Sequence, residues 1–267
     1  MRIHWFKTNL SVVQKITLAG LFMALTAVLQ KVVAINYLAF APFVRISFGG
    51  PALIIFSSIL LGPIYGAFVG LGSDLLGYLI FDIRQFPLYP QITAIYTVLG
   101  FLSYFIFSLV FSVKNKKLLG IIEIGVLSII WLGVSLFVLL NNQVILYPTQ
   151  KEPYQITLLT KILVPSLLGL MFIGIILFSL IYKPKDENPY LDPMHITFAS
   201  FICDFFILVI FGSVMKAFAF GFSTFLAILL CQAMVMFVNV VLDTLFISTF
   251  QRFTKKYFVE ASLCQKK

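Results

Sequence analysis

Between Ser47 and Asp82 this chain carries one charged residue, Asp74. A run of that length with so little polarity suits lipid, where a backbone without water must close its hydrogen bonds inside a helix. A charge at bilayer depth costs at least ~2.5–3.5 kcal/mol on insertion scales, so Asp74 should face protein, a cavity or a partner rather than lipid. Gly62, Gly66, Gly70 and Asp74 recur at every fourth position, a row that drifts only slowly around a helix. Small side chains in that row let a second helix approach closely, and Asp74 should end the row against that neighbour.

The same economy of charge holds along all 267 residues, of which 61% are hydrophobic and 11% charged. Soluble domains carry about 25% charged residues, so the chain reads as an all-α, polytopic transmembrane bundle forming one integral membrane domain over 1–267. Its net charge of +9 does not signal nucleic-acid binding. Most of the 19 lysines and arginines gather in four places: Arg2, Lys7 and Lys15; Lys114, Lys116 and Lys117; Lys183 and Lys185; Arg252, Lys255, Lys256, Lys266 and Lys267. The positive-inside rule puts those segments in the cytoplasm. Cys203, Cys231 and Cys264 show no paired spacing, which argues against a disulfide framework. The N-terminal charged stretch has no clear cleavage site after it, so 16–35 is read as a retained first helix.

A helix needs about 20 apolar residues to cross the hydrocarbon core. The candidate spans are 16–35, 51–61 with 63–81, 91–113, 118–140, 157–182, 195–216 and 219–250. Leu61-Gly62-Pro63 breaks the second stretch, and proline suits the first position of a new helix. Eight helices follow, the first member of the broken pair too short to cross alone, in a multi-pass protein of the cell membrane with both termini in the cytoplasm. The loops expected outside, 36–50, 82–90, 141–156 and 217–218, hold only Arg45, Arg84 and Lys151 as cations. The polar linker 183–195 reads as a solvated cytoplasmic connection.

Sets of residues that carry chemistry are scarce. The two histidines, His4 and His195, fall at helix boundaries, and no H-E-x-x-H, CxxC or phosphate-loop pattern occurs. Metal binding, a bound cofactor and intrinsic ATP hydrolysis are therefore not expected. Ser73-Asp74 lacks a histidine at its depth, which disfavours a serine hydrolase. Work done by this chain would draw on an ion gradient or on a partner.

Residues 16–112 resemble the substrate-binding S component of energy-coupling factor (ECF) vitamin transporters, most closely the folate-type branch. Three features carry the resemblance: the small-residue helix ITLAGLFMALTAVLQKVV, a loop ending in Arg45-Ile46-Ser47-Phe48-Gly49, and the Leu61-Gly62-Pro63 turn followed by Gly66, Gly70, Asp74, Leu75 and Gly77. Residues 203–250, with Lys216 and Asn239, are similar to the family's last two helices more weakly. The family's six helices are exceeded here by an inserted hairpin over 118–182. The resemblance implies capture of a vitamin from outside, docking on a transmembrane coupling subunit driven by two cytosolic ATPases, and release by toppling in the membrane. Another cargo, such as a queuosine precursor or pantothenate, and a stand-alone ion-coupled carrier are the alternatives.

On this reading Arg45 either pairs bidentately with a ligand carboxylate or forms an ion pair with Asp74. Phe48, Tyr78, Phe81, Phe86 and Tyr89 supply aromatic faces for a flat ring, although tyrosine also collects at membrane interfaces without a ligand. Asp82, Arg84, Gln91 and Thr93 add polar groups to the same rim. The substrate set is thus Arg45, Phe48, Asp74, Tyr78, Arg84, Tyr89 and Gln91. Ala19, Gly20, Met23, Ala24 and Ala27 form a small-residue face that either packs inside the monomer or, as the resemblance implies, slides on the coupling subunit. Asp204, Lys216 and Asp243 are further charges near membrane depth, and the sequence does not assign their partners.

Overall fold

The structure is a computed structural model that describes residues 8, 10–34, 47–82, 88–113, 115–144, 154–181, 192–222 and 225–258. Its helices are α1 (Val12–Lys31), α2 (Gly50–Leu61), α3 (Pro63–Gly77), α4 (Pro90–Phe111), α5 (Lys116–Leu140), α6 (Leu158–Ile181), α7 (Pro193–Cys203), α8 (Gly212–Phe220) and α9 (Phe225–Phe258). A π-helical turn, Tyr78–Asp82, extends α3, and a longer one, Asp204–Phe211, joins α7 to α8 as one rod. A two-residue antiparallel ladder pairs Gln143 with Gln155 and Val144 with Tyr154 at the tip of the α5–α6 hairpin. Among the described residues seven helices are long and apolar enough to cross a membrane, and α2 is shorter. The fold class read from the sequence holds: this is a helical bundle of membrane-spanning type.

Element ends follow local chemistry. Ser11 caps α1 in a reciprocal capping box with Gln14, which satisfies two amide donors and starts the helix four residues before the expected position 16. Gly62 turns the chain at φ 103°, a conformation open to glycine, and Pro63 then begins α3 as expected. The α7–α8 rod runs on to Phe220, past the expected end at 216, because Gly221 with φ 108° closes it.

The glycine row does what its spacing implies. A Cβ on Gly66 would strike the Gly100 carbonyl, one on Gly100 the Gly66 carbonyl, and one on Gly70 the Tyr96 carbonyl. Helices α3 and α4 therefore pack backbone against backbone, and the row ends with Asp74 on Thr93 of α4. All twelve residues of α2 are buried, enclosed by α1, α3, α4 and α9. Phe56 of α2 stacks on Phe250 at 5.3 Å and meets Phe22 edge-on at 5.8 Å.

The hairpin α5–α6 packs mainly on the α7–α9 side. Trp131 ties its two helices by donating Nε1–H to the Pro165 carbonyl at 3.1 Å, over the small Gly169. Thr8 bonds the Leu60 carbonyl, Lys15 lies over the Tyr65 ring, and His195 pairs with the Val113 carbonyl at one end of the bundle. The ends of α1, α3 and the rod, with the start of α4, form the opposite end.

Candidate functional site

That opposite end gathers most of the described residues expected to bind substrate. Asp74, 4% exposed, accepts a 2.6 Å hydrogen bond from Thr93 Oγ1 through Oδ2. Its Oδ1 lies 3.8 Å from Lys31 Nζ, the last residue of α1. The Lys31 stem passes over Gly77, where a Cβ would come within 2.8 Å of the Lys31 Cε. So Gly77 makes room for the cation that the buried carboxylate requires. Lys31 was absent from the sequence-based site. Its position at the end of the first apolar run, one helix away from Asp74, was the available signal.

Gln91 begins α4 beside this cluster, and its Oε1 is buried without a donor. Tyr89 packs on Phe220 at 5.0 Å with the rings tilted by 58°, which joins the start of α4 to the end of the rod. Tyr78 opens the π-helical turn that follows α3. Phe48, partly buried, stands before Gly49 at the start of α2, where Gly50 lies against Gln30, the neighbour of Lys31. Arg45, Arg84 and Phe86, and with them the expected Arg45–Asp74 pair, lie outside the described residues. Asp74 has Thr93 and Lys31 as partners in any case.

The expected docking face divides in two. Ala19 and Ala27 are buried in the core, and Met23 lies on Gly72 of α3. Gly20 and Ala24 point outward, with nothing within 4 Å of a Cβ built on Gly20. A helix whose inner face holds positions 19, 22, 26, 27 and 30 must turn 20 and 24 away. That division follows from the 3.6-residue period.

The end thus presents the Asp74 carboxyl bonded to a hydroxyl and paired with an ammonium, the Gln91 acceptor, and the apolar Tyr89–Phe220 pair. Among the described residues no group of three or more His, Cys, Asp or Glu is placed to hold a metal ion.

Fold and site together define a multi-pass helical membrane protein. Compared with family models, curated proteins and solved structures, the chain matches none.

Proposed function

We propose that this chain is the substrate-binding membrane subunit of an ECF-type vitamin importer, with a folate-like molecule as its cargo. The observation that carries the reading is the pair Gly20 and Ala24 on the outer face of α1. Val13, Ile16, Leu21, Leu25 and Val28 flank it as exposed large apolar residues, so the pair forms a small-residue notch suited to close approach by a partner helix. The coupling subunit would sit there, and two cytosolic ATPases would drive it. The end that carries Lys15 and Lys117 faces the cytoplasm on the positive-inside rule. The Lys31–Asp74–Thr93 end faces outward, where Tyr89, Gln91 and the loop bearing Arg45 would receive the vitamin.

Mass spectrometry of small molecules carried through purification, with uptake in proteoliposomes with and without the ATPase module, tests this reading. A pterin-type ligand and uptake that needs the module are the expected results. Another vitamin or precursor would keep the class and change the cargo. Uptake without the module would replace the reading by a stand-alone ion-coupled carrier, which the buried Asp204–Asp243 pair favours as the second possibility.

A further inference from the structure

Helix α2 spans twelve residues, about 18 Å at 1.5 Å per residue, against a hydrocarbon core of about 30 Å. Its last turn lies with Thr8 at one end of the bundle, so its first turn lies inside the protein at membrane depth. The first amides of a helix have no intrahelical partner and carry the positive end of its dipole. Leu53 N–H bonds the Gly49 carbonyl and Pro51 has no N–H, which leaves Ala52 as a donor at this buried tip. Helix α2 packs on α9, and α9 packs on the long π-helical stretch, which brings the Ala52 amide, Asp243 of α9 and Asp204, the first residue of that stretch, together. Stretches of π-helix are frequent at functional sites.

The two carboxyls are 0% and 1% exposed, and none of their four oxygens receives a protein donor that closes a hydrogen bond. Asn239 lies one turn before Asp243 on the same face of α9. It is 7% exposed, and its Oδ1 also lacks a donor. From α1, Gln30 reaches the same tip: it is 3% exposed, lies against Gly50, and both its amide atoms are without partners. The Cys203 thiol is the further titratable group facing the pair, while Lys216 of α8 faces Cys231 of α9.

Two carboxylates in contact repel strongly where the dielectric constant is low. The helix end offsets only about half a unit charge. Oxygens without donors call for a cation. We propose that Asp204, Asp243 and Asn239 form an intramembrane site for one monovalent cation, a proton or a sodium ion. Five protein oxygens fall short of the six to eight that calcium takes, and magnesium retains several waters, whereas both carboxyls here are cut off from solvent. A bound proton would bridge the two carboxyls. A sodium ion would lie between them and the Asn239 carbonyl. In either form the cation holds α9 and the π-helical rod against the tip of α2, so its loss should loosen the centre of the bundle.

The test needs neither the vitamin nor a partner, so its outcome is independent of the transport reading. Full-length protein in detergent is unfolded thermally in choline chloride buffer, with sodium chloride added at mildly alkaline pH, or with pH lowered in the absence of sodium. A site filled at about 100 times its Kd raises Tm by about 5–10 °C for a chain of this size. A rise with sodium and not with choline assigns sodium, and a rise on acidification alone assigns the proton. Asp204→Asn and Asp243→Asn should each abolish the response. Wild-type infrared difference spectra, which need no variant, should show a carboxyl band that changes over the same titration. Flat Tm curves in both titrations, no carboxyl band change, or an undiminished response in both variants would overturn the proposal.

Discussion

Thr93 of α4 donates a 2.6 Å hydrogen bond to Asp74 of α3, directly after the stretch where Gly66 and Gly70 bring the two backbones together. The close packing and the buried charge are therefore one arrangement. Glycines narrow the gap until a short threonine hydroxyl reaches the carboxylate, and Lys31 supplies the balancing charge from α1.

Removing Asp74 should then be costly. Asp74→Ala leaves Lys31 at the same depth without this carboxylate and should destabilise by about 3–5 kcal/mol. Thr93→Val, which deletes one donor to a charged group, should cost about 1.5–3 kcal/mol. In a thermal double-mutant cycle, Asp74→Asn combined with Lys31→Met should recover part of the summed loss. Strict additivity would mean that the 3.8 Å pair contributes no coupling. The same cycle with Arg45→Ala asks whether Arg45 also reaches Asp74.

The glycines sort into two groups with opposite expectations. Gly100→Ala and Gly70→Ala place a methyl group on a facing backbone carbonyl that cannot swing aside, and should cost about 1–3 kcal/mol. A Cβ on Gly125 or Gly174 meets nothing within 4 Å. Alanine there should be neutral or stabilise by about 0.5–1 kcal/mol through helix propensity. Melting temperatures of the four variants in one detergent decide the matter, and equal losses in all four would refute the packing assignment.

Membrane orientation is open to labelling. In a cysteine-free background, Asn115→Cys and Gln143→Cys sit at opposite ends of α5. An impermeant maleimide should reach Gln143→Cys in intact cells and Asn115→Cys only after permeabilisation. Labelling of both from outside would contradict a spanning α5, and the reverse pattern would invert the orientation.

Bulk on α1 should have different effects on its two faces. Ala24→Trp adds a ring to the exposed notch and should leave Tm and ligand affinity nearly unchanged. The proposed function then requires that uptake with the ATPase module collapse and that co-purification with a coupling subunit weaken. Ala27 is 2% exposed, so Ala27→Trp should destabilise the monomer by at least about 1–3 kcal/mol through overpacking. Normal uptake by Ala24→Trp would refute the docking role.

Much of the fold was legible in the chain because membrane insertion is a local requirement. Twenty apolar residues commit a segment to a helix wherever it lies, and Gly62-Pro63 breaks a helix whatever surrounds it. The α3 glycine row was readable for the same reason: its period is a property of one helix. Five expected substrate residues can be placed, and Asp74, Tyr78, Tyr89 and Gln91 fall toward one end, since chain order alternates the two sides of a bilayer. Phe48 stands just before the start of α2, where Gly50 packs on Gln30 beside Lys31, and Arg45 lies outside the described residues.

Partner choice was not legible, since it joins residues far apart in sequence. Lys31 meets Asp74 across 43 positions, and Asp204 meets Asp243 across 39. A lipid-buried charge announces only that a partner must exist, and several helices could have supplied one. Which face of α1 turns outward was undecided for the same reason, since small residues run around both sides of that helix. The sequence determined which segments form apolar helices and that one stretch breaks at Gly62-Pro63, because each helix has to satisfy its own backbone in lipid. Only the tertiary structure decided which charges share an interior and which small residues remain exposed, because those depend on neighbours that a single helix does not contain.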